Sequence, residues 1–462
     1  MKTNPIQEYT YPSFAGFVGV SEIDITPPVG IYMGNWGAST SPVSTGTHLP
    51  LKITCLTFQT DRTADPLVMM GMDLGWWKDG SEEITFRKTI LQKFDLEPHQ
   101  LMIFLSHTHS GPSICRMDSD KPGGDLVVAY LDELEEKAIS VIRSALETAE
   151  ESFLTWQYGH CDLARNRDLP DPHSPRYLVG YHPEAKADNT LLCGLVTDKM
   201  GLARGVIVNY ACHPTTLGWT NTLISPDFPG AMKRTIIENT GAPVLFMQGA
   251  SGELAPIINY SGDTAVPDRY GRQLGYAVLS TLESIAIPGR KYAFDGSVES
   301  GAPLAIWTAV EAGISNELMA YQYLTRYQIK DFPKYKDLKE SMDHSKDRVE
   351  RERLWRKMAI RKAIGDGDEV NTGLWVWKLG DAWVIAQPNE AYSELQVGIR
   401  TMFPDLAIAV ANLVNGSYGY LPPEDLYQED IYAVWQTPFA KGSLEQLTSQ
   451  VCEIIRNLNS TP

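Results

Sequence analysis

The stretch LSHTHSGP, Leu105 to Pro112, ends the apolar run Leu101 to Leu105 in two histidines one residue apart, His107 and His109. Alternate side chains of an extended backbone face the same way, so both imidazoles are expected on one side where a buried strand opens into a loop. Neutral imidazole is the commonest protein ligand for zinc, and a catalytic zinc typically keeps one position for water. An isolated HxH more often serves as a hydrogen-bonded structural histidine, so the metal reading needs donors from other segments.

Three more apolar runs end in the same manner. GVIVNYACHPTT carries His213 just past Val206 to Tyr210, and the following proline would stop the ladder. LGDAWVIAQPNEAYSEL delivers Glu390 after Trp383 to Ala386, and AIAVANLVNGSYGYLPPEDLY delivers Tyr418 and Tyr420 after Ile408 to Val414. Open α/β proteins commonly place their chemistry at strand ends of this kind.

HTHSGP, HPTT, a PxE segment and a late YxYxPxE segment follow one another in the order found in the neutral ceramidase family, zinc-dependent enzymes that hydrolyse an N-acyl amide. The chain resembles that family from Phe17 to Gln446, and its opening GFVGVSEIDITPPVG is similar to the family's glycine-rich DIT segment. The resemblance implies a zinc cofactor held by His107, His213, Glu390 and Tyr420. Tyr420 is preferred to Tyr418 because its spacing to LPPED matches better. The resemblance further implies that His109 lines the pocket and passes a proton to the departing amine. Arg167, beside Asn166 in LARNRDLP, would face the substrate carbonyl, with Tyr432 of DIYAVWQ near the substrate.

The chain also departs from the ceramidases. Where they carry a serine that acts at the scissile amide, FMQGASGELAP has Ala255, and Ser251 four residues earlier is either a substitute or an ordinary loop serine. Glu390 sits in PNE rather than PGE, fewer residues separate His213 from the FMQGASGELAP loop, and the family's C-terminal immunoglobulin-like module is expected to have no counterpart. The expected function is therefore zinc-dependent hydrolysis of an acyl amide other than ceramide. The alternatives are an ester or lactone hydrolase and a noncatalytic ligand-binding homologue.

Several other residues invite two readings. Asp73, after the run MGMD, could orient a ligand histidine or serve a turn or cap. Asp227 in SPDFPG resembles a family aspartate and equally suits a helix N-cap. Trp36, Trp76, Trp77 and Trp219, close to the motif loops, are either walls of an aromatic pocket or core.

These residues require a scaffold of alternating strands and helices. Leu51 to Gln59 and Leu67 to Asp73 read as strands; Glu82 to Phe94, Leu126 to Glu147, Asp227 to Asn239 and Arg269 to Ile285 read as helices. The order implies an α/β fold of mixed sheets packed between helices, expected as a single catalytic domain over residues 1–462. Residues 316–362, dense in charge and tyrosine, read as a helical insertion. That insertion is either a solvated hairpin or a lid or oligomer contact over the active site.

Of the 462 residues 43% are hydrophobic, enough for a large core, and no apolar run approaches the roughly 20 residues that span a bilayer. The opening MKTNPIQEYTYPSF has no leader-like apolar stretch. A net charge of −17 argues against nucleic acid and against stable membrane association, because both need clustered positive charge. The six cysteines lack CxxC pairs, which fits free thiols and a cytoplasmic setting. The expected partner is a small-molecule acyl amide, with a homo-oligomer left open.

Overall fold

The computed structural model describes residues 8–285 and 288–460; residues 1–7, the first half of the stretch read for a leader, lie outside them. Eight strands form the larger sheet: β1 (Ser13–Asp24), β2 (Lys52–Gln59), β3 (Leu67–Met72), β4 (Leu101–Leu105), β5 (Glu150–His160), β6 (Thr190–Thr197), β7 (Ala203–Tyr210) and β8 (Val244–Gln248). Their order is β8-β7-β6-β5-β1-β2-β3-β4, parallel at the two end pairs and antiparallel between them. Both parallel pairs need a crossover, supplied by α1 (Gly80–Phe94) between β3 and β4 and by α3 (Phe228–Thr240) between β7 and β8. Helices α2 (Asp125–Glu147) and α4 (Ala265–Glu283) complete that outer layer.

A second sheet holds β9 (Leu318–Gln328), β10 (Glu369–Leu379), β11 (Ala382–Ala386) and β12 (Ala407–Ala411) in chain order. Period-two alternation divides each strand between two layers. Trp375, Trp377 and Leu379 of β10 meet Phe14, Phe58, Trp156 and Met102 of the larger sheet, where Ala382, Ala386, Ala407, Ala409 and Ala411 leave room for the indoles. Leu374, Val376, Ile385 and Val410 face the other way, onto α7 (Glu394–Met402) and the carboxy-terminal Ser443–Ser460 helix. The reverse face of the larger sheet is covered by α1 and α2 on one half and by α3 and α4 on the other. The layers therefore run helix, sheet, sheet, helix, as the α/β expectation required.

The larger sheet curls until its ends meet. Strand β8 lies against β2, β3 and β4, and Thr54 Oγ1 donates to Val244 O at 3.0 Å. A Cβ on Gly71 would stand 3.0 Å from Leu245 Cγ, so glycine lets the ends approach. Curling brings the exits of β4 and β7 together, although they lie near opposite edges in strand order.

One expectation fails in part. Residues 316–362 are not helical throughout: Leu318–Gln328 is the strand β9, and the helices are α5 (Tyr335–His344) and α6 (Arg348–Ile364). LMAYQYLTRYQ is aromatic and alternating, and it finds β10 as an antiparallel partner, which outweighs the charge of the neighbouring sequence. All six cysteines are buried and unpaired, and no described helix is long and apolar enough to cross a membrane.

Candidate functional site

The chain leaves β4 through Ser106, whose N–H continues the ladder to Met72 O, and then turns sharply. His107 adopts a left-handed φ of 67°, fixed by its N–H to Leu74 O at 2.9 Å. Strand alternation therefore does not carry His107 and His109 to one side; the turn does, leaving their ring centroids 4.9 Å apart. His213 follows β7, its N–H on Leu254 O. Glu390 and Tyr420 stand opposite each other in the short parallel ladder of Glu390–Ala391 with Tyr420–Leu421, so one register sets both side chains.

These segments converge. His213 Nε2 lies 3.0 Å and His107 Nε2 3.4 Å from Glu390 Oε2, and donor atoms of all three residues fall within 4.8 Å of one another. Among the described residues no other His, Cys, Asp and Glu trio converges in this way. His213 Nδ1 donates to Ser251 O at 2.6 Å and His107 Nδ1 faces Gly75 O at 3.3 Å, which leaves each Nε2 lone pair for a cation. Burial, then Arg167, lowers the His213 imidazole to about 3, keeping it neutral. Burial opposes ionisation of Glu390, but His107 and His213 beside it hold the carboxyl well below the usual range. Two imidazoles whose Nδ1 atoms face carbonyls, beside an ionised carboxylate, are the donor set that a divalent transition metal takes, so the residues fit zinc. Tyr420 stands beside the group, its ring stacked on His213 with centroids 6.5 Å apart. Tyr418 instead sits among apolar side chains beside Glu83 and Arg87 of α1.

Arg167 is placed by the bridge of Arg165–Asn166 with Leu254–Ala255 and by its own N–H to Glu253 O. Its guanidinium is buried and donates to Gly252 O at 2.7 Å and to Tyr420 Oη at 3.1 Å, with a contact to His213 Nε2 at 3.2 Å. Asn166 only caps the turn, accepting from Asp168 N. Tyr432 packs edge-on against Tyr420 with centroids 5.6 Å apart. His109 has no hydrogen-bond partner on either ring nitrogen among the described residues and is wedged between Trp36 and Trp76. Burial, then His107 and His213, lowers its pKa well below the ordinary value.

Two cavities meet here. The smaller is lined by His107, Glu390, Trp76, Lys78 and Trp355. The larger, about 380 Å³, is lined by Trp36, Trp219, Tyr260, Arg167 and α6. Both touch His109, Arg356, Tyr420 and Tyr432. Trp36, Trp76 and Trp219 are thus walls, and Trp77, 3% exposed, both lines the smaller cavity and packs on Phe86. Of the two readings of the insertion, α6 follows the covering one. Its Val349, Glu352, Arg353, Arg356 and Ile360 all face the cavities. That contribution escaped the sequence reading, although these positions keep the i, i+3, i+4, i+7 spacing of one helix face.

The remaining candidates resolve into supports. Asp73 does not orient a histidine; it pairs with buried Lys233 at 2.7 Å, because backbone carbonyls already hold both imidazoles. Asp227 is an N-cap accepting from Phe228 N, and it also accepts from Thr216 Oγ1 and Leu217 N. The Ser251 hydroxyl is bound by Gln248 Nε2 at 2.6 Å, and Ala255 is buried in the bridge that sets Arg167.

No family model and no curated protein matches the chain. Solved structures do. The neutral ceramidase from Pseudomonas aeruginosa superposes with a TM-score of 0.66 at 15% identity, covering 97% of this chain and 75% of that one. A ceramidase complexed with C2 gives 0.66 at 13% identity over 97% and 76% of the two chains. The fold is that of neutral ceramidase. At such identities the ceramidase fold says where a site is built and not what it cleaves.

Proposed function

We propose that this chain is a zinc-dependent hydrolase of an acyl amide bond, acting as one catalytic domain on a small molecule other than ceramide. The observation that carries the reading is the convergence of His107, His213 and Glu390 beside Tyr420 and Arg167, with His107 and Glu390 lining the smaller cavity and Arg167 and Tyr420 the larger, aromatic one. A bound zinc would polarise the carbonyl and lower the pKa of its water from near 16 toward about 7. The protein residues supply the rest. Arg167 Nη1 and the Tyr432 hydroxyl have donors to spare for a developing oxyanion, a contribution of roughly 3 kcal/mol each when preorganised. His109, neutral and free at both ring nitrogens, is placed to carry a proton to the departing amine. None of these roles needs a nucleophilic serine, so Ala255 is compatible with hydrolysis. A cavity of about 380 Å³ suits a compact acyl amide better than a two-chain lipid.

Elemental analysis of the purified chain should find one zinc per molecule, lost together with amide hydrolysis in His107→Ala. A chain that hydrolyses esters or lactones but no amide would overturn the amidase assignment. A chain that takes up no zinc in excess metal would end the hydrolase reading.

A further inference from the structure

The wall of the larger cavity contributed by α6 is cationic, and its charge is only partly neutralised by the protein. Arg348, Arg353 and Arg356 line it together with Arg167 from the opposite side, against a single lining carboxylate, Glu352. On a chain of net charge −17 this local excess of arginine is a departure that solvation of a helix face does not explain. Glu352 is already engaged, accepting from Arg356 Nε at 2.8 Å. Arg356 Nη1 donates to Tyr432 Oη at 3.1 Å, and its second terminal nitrogen has no acceptor among the described residues. Arg353 has no hydrogen-bond acceptor or carboxylate partner among the described residues, and its guanidinium lies 4.9 Å over the Trp435 ring. Arg348 donates to Gly37 O through one nitrogen alone.

The opposite wall is aromatic. Trp219 stacks on Tyr260 with centroids 5.9 Å apart, and Trp36 meets both edge-on. The inner end carries His109, Arg167 and Tyr420, whereas Arg348, Val349 and Arg353 at the mouth are exposed. A ligand that fills this space presents an apolar body to the indoles, an amide to the inner end and negative charge to α6.

Resting on the hydrolase reading for its inner end, we infer that the substrate is an acyl amide bearing a carboxylate, which Arg353 and Arg356 receive. Guanidinium binds carboxylate through paired, charge-assisted hydrogen bonds, and a partly desolvated cavity strengthens them. A neutral amide of the same shape leaves those donors facing nothing.

The test is a matched pair of probes on the zinc-loaded chain: N-benzoylglycine and its neutral N-methylamide, followed by quenching of the cavity tryptophans. The acid should bind at least about tenfold more tightly, the size of a charge-assisted hydrogen bond. Its advantage should shrink with rising salt and fall about tenfold in Arg353→Gln and in Arg356→Gln. Arg353 is exposed, so its variant decides the matter should the Arg356 variant fail to fold. Equal binding of the two probes would overturn the inference. So would a preference that survives both substitutions, which is the behaviour of a carboxylate captured by the metal alone. Selective binding of the acid with no turnover of any amide would keep carboxylate recognition by Arg353 and Arg356 while overturning the amidase assignment, and with it the acyl amide as substrate.

Discussion

The side chain of Asn415 accepts from Ile103 N at 2.9 Å while donating to Leu101 O at 2.8 Å, serving β4 as a neighbouring strand would. Asn209 of β7 makes the reciprocal arrangement with Val410 of β12, at 2.8 Å to the carbonyl and 3.2 Å from the amide. Two buried asparagines thus stitch the sheets together on the very strands that lead to His107 and His213. Asn415 itself holds a φ of 54°, a conformation asparagine tolerates better than most residues.

Replacing Asn415 by Ala strands two buried backbone groups of β4 and is expected to cost about 2–4 kcal/mol of stability. The same change should weaken zinc binding, because the strand delivering His107 loses its anchor. Urea unfolding and competition with a chelator measure the two effects. A destabilised variant with parental zinc affinity would break the proposed link.

Ser251→Ala should retain amide hydrolysis within about threefold, since Gln248 keeps its bond to Cys212 O and the Ser251 carbonyl still orients His213. Steady-state kinetics decide it. A loss of about 10³-fold or more would mark the serine as a nucleophile after all.

His109→Phe keeps an aromatic ring between Trp36 and Trp76 and removes the proton carrier. If His109 serves the departing amine, alkyl amides should slow by about 10²-fold or more, while anilides with good leaving groups slow far less. Uniform slowing across leaving groups would assign His109 to packing alone.

Asp227 sets a pH dependence of stability. Burial raises its carboxyl from 3.8 to about 6 against hydrogen bonds from Thr216, Leu217 and Phe228, so the folded chain retains a proton that the unfolded chain has released. The contribution is complete below pH 3.8 and is lost as the pH rises through about 6, by at most roughly 3 kcal/mol. The unfolding free energy of the parent minus that of Asp227→Asn should therefore fall between pH 4 and pH 7. A constant difference across that range would refute the assignment.

Much of this could be read from residue order because strand ends announce themselves: hydrophobic runs lead to His107, His213, Glu390 and Tyr420, which the fold brings close to one another. What the sequence concealed is longer in range. The left-handed turn at His107 depends on Leu74, and the meeting of β4 with β8 depends on a curl that Gly71 permits. Arg356 belongs to a charged helix whose inward face only becomes evident once the cavity has another side. Asp73 stayed open between a histidine partner and a turn or cap residue because its true partner, Lys233, lies far along the chain.

His107 and His213 follow strands of the larger sheet, whereas Glu390 and Tyr420 sit in a separate two-stranded ladder that follows β11 and β12 in the chain. Neither half can grasp an ion tightly by itself, so a cation bridging them would act as a rivet through the sandwich. Its departure would cost mechanical cohesion as well as chemistry, and the melting temperature should climb with the free zinc concentration.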